Sequence, residues 1–322
     1  MKNIEEILTG VQTLGIAGHI RPDGDCMGSC MGLYLYLKEY HPEISTDIYL
    51  EEPREVFSYM ARIDEVITRE PEEDKIYDVF VTLDVSAKDR IALAGHSFDR
   101  AKKRVCIDHH CSNQGFGDEN YILSDVSSAS EVLYTLLDPG KITRDIAEAI
   151  YTGIVHDTGV FQYSSTSPET MRIAGELMRT GFPFSEIIDR SFYQKTYLQN
   201  QVMGRVLAES ILILGGKCII GYMKRKDMLF YGVTGRELDG IVSQLRLTKG
   251  VEVAIFLYEQ EPQLFKVSLR SNGKADVSEV AVFFGGGGHV RAAGCDMIGS
   301  MYDVVNNLTL HIEKQFKDLG LI

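Results

Sequence analysis

Short apolar runs alternate with stretches of helical spacing through the first half of the chain. The runs at residues 14–18, 79–83 and 105–107 predict strands, and a further strand is predicted at residues 47–50. Between the strands apolar residues recur at helical spacing, as at residues 31–40. This alternation is typical of βαβ units, and the continuous apolar runs favour an α/β fold with a mainly parallel sheet flanked by helices.

The pattern changes near residue 210. Gly215 and Gly216 lie between two apolar segments and give a hairpin signal. The strands and helices predicted from here on lie at residues 211–214, 217–223, 237–247, 251–258, 264–269 and 304–316. They predict a smaller α/β unit with a mixed sheet.

The length of the chain and this change of pattern predict two domains. At 322 residues the chain exceeds the usual size of one domain. Helical spacing across residues 184–210 predicts one long helix between the two parts. We therefore predict an N-terminal domain over residues 1–185, a helical linker over residues 186–210 and a C-terminal domain over residues 211–322.

Composition narrows the class of protein. No apolar run reaches 18 residues and the first residues are too acidic for a signal peptide, so we expect a cytoplasmic chain without membrane contact. The six cysteines form no Cys-x-x-Cys pair, which argues against a zinc ribbon or a disulfide framework. A formal net charge of −13 argues against binding to long duplex nucleic acid, but it is compatible with a small phosphorylated substrate.

Acidic residues and histidines recur where the predicted strands and helices of the first domain end. They are His19, Asp23, Asp25, Asp84, Asp108, His109, His110, His156 and Asp157. In open α/β sheets ligands bind beyond the carboxyl ends of the strands. Carboxylates mixed with imidazoles suit Mn²⁺, Zn²⁺, Co²⁺ or Fe²⁺ better than Ca²⁺ or Mg²⁺.

The number of carboxylates favours two metal ions over one. One tetrahedral zinc ion needs fewer of them, and without cations they would repel each other. One carboxylate can bridge two ions about 3.5–4 Å apart, and Asp84, between the other groups in chain order, is the natural bridge. A single strand-end aspartate is more often a cap or turn residue, so this interpretation depends on the joint pattern.

These residues carry a resemblance to the DHH phosphoesterase family. Four segments resemble its metal motifs, namely His19-x-x-Pro22-Asp23-x-Asp25-x-x-Gly28-Ser29, Asp84, Asp108-His109-His110 and His156-Asp157-Thr158-Gly159. Two more resemble its DHHA1 domain, namely Val267-Ser268-Leu269-Arg270-Ser271 and Gly285-Gly286-Gly287-Gly288-His289-x-x-Ala292-Ala293-Gly294. The resemblance implies a catalytic DHH domain over residues 1–185 and a substrate-binding DHHA1 domain over residues 211–322.

The resemblance also implies two Mn²⁺ ions and a role for each site residue. The ions would be held by His19, Asp23 and Asp84 on one side and by Asp25, Asp84, His109 and Asp157 on the other. His110 would face the scissile phosphate, and Asp108 would orient a ligand histidine. Asp84, Asp108 and His110 are therefore the expected catalytic residues.

The second domain is expected to bind the substrate. Gly286, Gly287 and Gly288 would let the backbone approach a ligand closely, while Arg270 and His289 would supply donors to a terminal phosphate. A cleft between metal ions on one domain and a phosphate clamp on the other would select short substrates.

The implied function is that of a manganese-dependent phosphodiesterase or exoribonuclease. It would hydrolyse very short oligonucleotides (nanoRNA, pApA) to mononucleotides and convert adenosine 3′,5′-bisphosphate (pAp) to AMP, using a hydroxide activated by two metals. A phosphodiesterase for cyclic or linear di-AMP in bacterial signalling is the alternative within the same chemistry. A non-catalytic nucleic-acid-binding module is the alternative of another class, and a homodimer is a possible state.

Overall fold

The computed structural model describes residues 3–322 of the chain. The chain divides into two compact units, and the division falls between Gln194 and Lys195. None of the helices within residues 3–322 combines the length and the apolar character that a membrane span requires.

The N-terminal unit contains a five-stranded sheet in the order β2-β1-β3-β4-β5. Its strands are β1 Thr13–Ala17, β2 Ser45–Tyr49, β3 Val79–Leu83, β4 Lys103–Asp108 and β5 Glu119–Ile122. All neighbouring strands are parallel. Every residue of β3 is buried, as expected for the centre of a parallel sheet with helices on both faces. The predicted parallel sheet is confirmed.

Within residues 3–194, this unit contains seven α-helices. They are α1 Ile4–Leu8, α2 Gly24–Tyr40, α3 Gly95–Arg100, α4 Ala129–Leu136, α5 Arg144–Asp157, α6 Pro168–Met178 and α7 Phe184–Ile187. The first 14 residues of α2, from Gly24 to Leu37, are all buried. Helix α5 packs closely on α2, since a Cβ added at Gly28 would lie 2.5 Å from the carbonyl oxygen of Ala149.

The predicted single helix across residues 184–210 is wrong. After α7 the chain widens into a π-helix over Ile188–Tyr193, and a separate helix α8 spans Tyr197–Ala208. Thr196 starts α8 with a capping box, because its hydroxyl accepts from the amide of Gln199 at 3.1 Å while the Gln199 side chain accepts from the amide of Thr196 at 2.8 Å. Such a box fixes a helix start, and apolar spacing alone does not reveal it.

The C-terminal unit contains a six-stranded mixed sheet in the order β10-β11-β9-β8-β7-β6. Its strands are β6 Ile211–Ile213, β7 Cys218–Met223, β8 Val253–Glu261, β9 Leu264–Ser271, β10 Gly287–His289 and β11 Ala292–Ile298. Strands β7 and β8 are parallel and the remaining neighbours are antiparallel. This arrangement confirms the predicted mixed sheet.

Helices cover the two faces of this second sheet. They are α8, α9 Arg225–Tyr231, α10 Ile241–Arg246, α11 Val277–Phe283 and α12 Met301–Asp318. One apolar core joins α11 and α12 to the sheet, and a second joins α8, α9 and α10 to it. The helix predicted at residues 237–247 is shorter because Gly240, with φ of 84°, lies at its N-cap.

Candidate metal centre

Three neighbouring parallel strands end at the site. His19 follows β1 by two residues, Asp84 directly follows β3, and Asp108 is the last residue of β4. Because β1, β3 and β4 are adjacent and parallel, their carboxyl ends meet at one edge of the sheet. The isolated bridge between His19 and Ile91 fixes the segment after β1 to the segment after β3.

Asp84 lies at the centre of the cluster. Its φ of 58° is unusual for a residue other than glycine, and its amide donates to the carbonyl of Ile107 at 3.1 Å. The side chain is 3% exposed, with Oδ2 at 3.4 Å from Nε2 of His19 and Oδ1 at 3.6 Å from Nε2 of His109. One carboxylate therefore faces a histidine on each side.

The first group of ligand atoms consists of His19, Asp23 and Asp84, whose atoms lie within 4.8 Å of one another. Asp23 is the N-cap of α2, and its Oδ1 accepts from the amides of Asp25 and Cys26, both at 3.1 Å. The Nδ1 atom of His19 bonds the carbonyl of Ile20 at 2.8 Å, which directs Nε2 towards the carboxylates.

The second group consists of Asp25, His109 and Asp157, again within 4.8 Å of one another. Asp25 is fully buried in the first turn of α2, and Asp157 is the last residue of α5. Nε2 of His109 lies 3.1 Å from Oδ2 of Asp157 and 3.9 Å from Oδ2 of Asp25. Together with Asp84, these residues surround a second position for a cation.

The shifted pKa values of the acids and histidines in the cluster favour the binding of positive charge. Burial raises the pKa of Asp157 to about 6, and burial together with Asp84 and Asp157 raises the pKa of Asp25 well above its ordinary value. Burial alone would lower the pKa of His109, but its contacts with Asp157 and Asp84 raise it to about 12. The pKa of His19 likewise rises to about 12 despite burial, beside Asp23 and Asp84.

The donor set fits divalent transition metals. Oδ1 of Asp84 is buried without a hydrogen-bond partner among the described residues, and such an orphaned acceptor is satisfied by a cation. Each group offers carboxylate oxygens and one imidazole nitrogen, the mixture that Mn²⁺, Fe²⁺, Co²⁺ and Zn²⁺ accept. Two such ions would replace the protons that the histidines otherwise carry.

Asp108 holds His110. Its Oδ1 atom lies 2.8 Å from Nδ1 of His110, and its Oδ2 accepts from the side-chain amide of Asn113 at 2.7 Å. Asp108 was expected to orient a ligand histidine, but the hydrogen bond goes to the other histidine. Residues two apart on an extended chain share a side, so Asp108 and His110 lie together while His109 turns to the opposite group. The hydrogen bond to Asp108 raises the pKa of His110 against the effect of burial.

Sequence reasoning missed three residues that support the site. Asn113 carries a neutral amide, which the search for carboxylates and imidazoles passes over, and follows the histidines as an ordinary loop residue. Ala129 and Ser130 act through their backbone amides, which donate to Asp25 at 2.6 and 2.9 Å. Backbone donors leave no trace in residue type, so the sequence does not reveal them.

His156 belongs to the surroundings of the site. Its Nε2 atom lies 2.9 Å from Oγ of Ser191, and its ring packs against Phe57 and Phe192. A Cβ at Gly24 would lie 2.0 Å from this ring, so the first turn of α2 needs glycine there.

The C-terminal unit places Arg270 and His289 in one row across its sheet. Ala292 of β11 pairs with Arg270 of β9 on one side and with His289 of β10 on the other. Directly paired residues point to the same face, and two strand spacings put Arg270 and His289 about 10 Å apart. The residue between them in this row, Ala292, has a small side chain, and Nη1 of Arg270 donates to the carbonyl of Leu269 at 2.9 Å.

Part of the glycine run at residues 285–288 belongs to the edge strand β10. Gly287 belongs to β10, and a Cβ there would meet no atom within 4 Å. By contrast, a Cβ at Gly286 would lie 2.1 Å from the carbonyl oxygen of Gly294, and Gly288, with φ of 144°, would place one 2.4 Å from that of Ala292. Packing against β11 therefore explains two of these glycines, and the approach of a ligand is not needed to explain them.

Known proteins match both units. The N-terminal domain of the DHH family matches residues 13–154, and the DHHA1 domain matches residues 215–318. The bifunctional oligoribonuclease and PAP phosphatase NrnA of Thermus thermophilus is 30% identical over 93% of this chain and 89% of its own length. The NrnA protein of Bacillus subtilis is 27% identical over 95% of both chains.

A solved structure matches the fold. An exopolyphosphatase-related protein from Bacteroides fragilis superposes with a TM-score of 0.88 at 24% identity, covering 98% of this chain and 96% of that chain. The chain therefore belongs to the DHH family, with a DHH domain followed by a DHHA1 domain.

Proposed function

We propose that the enzyme hydrolyses very short oligonucleotides to mononucleotides and dephosphorylates adenosine 3′,5′-bisphosphate to AMP, with two Mn²⁺ ions as cofactors. The chain is a hydrolase of phosphoester bonds, as its family and its relatives show. The observation that carries the proposal is a pair of ligand groups, one of which contains Asp84, while His109 of the other lies with Nε2 at 3.6 Å from Oδ1 of Asp84. The substrates are those named for the NrnA relatives.

The proposed ligands follow the two groups. One ion would be held by His19, Asp23 and Asp84, and the other by Asp25, Asp84, His109 and Asp157. When bound, two divalent ions supply an activated hydroxide and neutralise charge on the phosphoryl oxygens.

His110 is the proposed contact to the scissile phosphate. Asp108 holds its Nδ1 atom at 2.8 Å, which fixes the ring and leaves Nε2 pointing the other way. A protonated imidazole donates to a non-bridging phosphate oxygen or delivers a proton to the leaving oxygen. Asn113 keeps Asp108 in place by donating to the second carboxylate oxygen.

Arg270, His289 and the glycines at residues 286–288 are the proposed substrate-binding residues of the DHHA1 unit. A guanidinium forms charge-assisted hydrogen bonds with phosphate oxygens, and the paired position of His289 supplies a second donor. Gly287 is the glycine beside which a ligand has room.

We also propose that the enzyme acts in the cytoplasm. All six cysteines are free thiols, which is their usual state in a reducing compartment.

A product assay with Mn²⁺ tests the proposed function. We would offer pAp, pApA, cyclic di-AMP, a five-nucleotide RNA and pyrophosphate to the wild-type enzyme and to Asp84→Ala. The proposal expects AMP from pAp and pApA, and strongly reduced turnover in the variant. Faster turnover of cyclic di-AMP would favour the signalling phosphodiesterase, and tight RNA binding in EDTA without hydrolysis in Mn²⁺ would favour a binding module.

A further inference from the structure

A buried polar turn precedes α4. Glu131, 1% exposed, accepts three hydrogen bonds at Oε2. The donors are the amide of Ser127 at 3.1 Å, its hydroxyl at 2.5 Å and the hydroxyl of Thr170 at 2.8 Å. A buried carboxylate is tolerated only when its oxygens are bonded, so this set of contacts ties the turn to α6. Ser128 closes the turn by accepting from the amide of Glu131 at 3.0 Å.

The same turn directs two amides at a candidate metal ligand. Ala129 and Ser130 are the first helical residues of α4, whose amides have no partner within the helix. They donate to Oδ2 and Oδ1 of Asp25 at 2.6 and 2.9 Å. Asp25 is fully buried, so the direction of its carboxylate depends on where these amides lie.

We propose that Glu131 is a positioning residue for the metal ion that Asp25, His109 and Asp157 would hold. Through Ser127 and Thr170 it fixes the N-terminus of α4, and through that helix it fixes the carboxylate of Asp25. The inference rests on the proposed metal centre. It adds a buried acid that acts on the site without belonging to the ligand groups.

The two metal positions should respond differently to a change at Glu131. Each oxygen of Asp25 uses one lone pair for an amide of α4 and keeps another for a cation, so a shift of α4 turns the cation-facing lone pairs away. The other group is oriented by separate contacts, since Asp23 caps α2 and His19 bonds the carbonyl of Ile20. Loss of a contact that orients a ligand typically costs 10–100-fold in metal affinity.

Calorimetric titration of the full chain with Mn²⁺ tests the inference. Glu131→Ala should weaken one of the two sites about 10–100-fold and leave the other nearly unchanged. Glu131→Gln retains an acceptor oxygen and should weaken it less, and Thr170→Val, which keeps the shape of the side chain, should act in the same direction. Asp78→Asn is the control, because Asp78 also binds backbone amides, those of Gln12 and Thr13, but at the opposite end of β1.

Each outcome decides a different point. Wild-type protein that binds no Mn²⁺ would overturn the metal centre and this inference together. If the wild type binds two ions and the Glu131 and Thr170 variants bind both as tightly, only the inference fails. Equal weakening of both sites, shared by Asp78→Asn, would show general destabilisation and also overturn it. If circular dichroism shows Glu131→Ala unfolded, Glu131→Gln and Thr170→Val decide by the same criteria.

Discussion

Three consecutive side chains at the end of β4 enter different surroundings. Asp108 is fully buried between Asn113 and His110, whereas His109 reaches Asp25 and Asp157. The alternation of side chains along an extended segment separates the two histidines, so neighbours in sequence can serve different chemical steps.

The two histidines should therefore give different mutant enzymes. His109→Ala removes a proposed ligand and should lower the amount of Mn²⁺ bound, with turnover falling as a consequence. His110→Ala should keep both ions and still lose about 10²–10⁴-fold in kcat, the usual contribution of a general acid or base. Metal analysis after desalting, beside turnover of pAp, checks both. Equal metal loss in the two variants would contradict this division of roles.

Asn113 should matter for turnover more than its chemistry suggests. Asn113→Leu leaves Oδ2 of Asp108 buried without its donor, which should cost about 1–3 kcal/mol in the free energy of unfolding. The freed carboxylate should also lose its hold on His110, so kcat should fall while Mn²⁺ binding persists. Asn120→Leu is the control, because the exposed side chain of Asn120 bonds the backbone of Gly117 in the preceding loop. Denaturant titration and turnover of pAp measure both effects.

Binding of metal should release protons. The pKa of His19 and that of His109 are raised to about 12, so both imidazoles are protonated at neutral pH until a cation displaces the proton. Lower pH favours the protonated form, and Mn²⁺ affinity should therefore rise with pH, with about two protons released as the sites fill. Calorimetry in buffers of different ionisation enthalpy counts these protons. A binding enthalpy independent of the buffer would contradict the prediction.

At the scale of elements, helices α2 and α5 carry ligands of the same group on closely packed backbones. Asp25 lies on α2, and Asp157 ends α5. At Gly28 an added Cβ would lie 2.5 Å from the carbonyl oxygen of Ala149 and 2.7 Å from the amide of Gly153. The distance between the two helices is therefore set by glycine.

Gly28→Ala should push these helices apart. We expect a loss of about 1–3 kcal/mol in the free energy of unfolding, as for overpacked cores, together with weaker Mn²⁺ binding. Gly175→Ala in α6 is the matched control. A Cβ there meets nothing within 4 Å, so alanine should stabilise the helix by about 0.5–1 kcal/mol. Thermal unfolding and Mn²⁺ titration of both variants check the prediction, and unchanged metal affinity in Gly28→Ala would contradict it.

The sequence predicted those strands and helices that are determined by the pattern of their own residues. Strand β3 is a continuous apolar run and was predicted with its bounds. Strands β5, β10 and β11 were missed. The first two lie at the edges of their sheets and form by pairing, one with half-exposed residues and the other with glycines. Strand β11 begins with Ala292, Ala293 and Gly294, which have low strand propensity, and it forms by pairing with β9. The long helix failed because a local capping box at Thr196 overrides apolar spacing.

The candidate site likewise has a part that the sequence predicts and a part that it does not. The metal-binding residue types could be read directly, and parallel strand ends explain why they meet. The partner of Asp108 and the amides that hold Asp25 could not be read, because they depend on turn geometry and backbone direction. Residue type predicts what a site can bind, while the surrounding hydrogen bonds emerge only from the fold.

At the scale of the molecule, the two units carry different kinds of candidate chemistry. The cation-binding side chains described above lie in the first unit, and the paired Arg270 and His289 lie in the second. With a formal net charge of −13 the chain does not attract a phosphorylated substrate through its overall charge, so recognition depends on local positive groups.

Arg270 should therefore affect substrate binding and leave metal binding unchanged. Arg270→Ala removes a charge-assisted donor to phosphate, worth about 1.5–3 kcal/mol, so KM for pAp should rise roughly 10–100-fold with a smaller change in kcat. Arg246→Ala is the control, since the Arg246 side chain bonds Asn272 on the surface of the same unit at 2.7 Å. Steady-state kinetics and Mn²⁺ titration separate the two effects. A variant that loses Mn²⁺, or that lowers kcat with KM unchanged, would show that Arg270 does not act by binding the substrate.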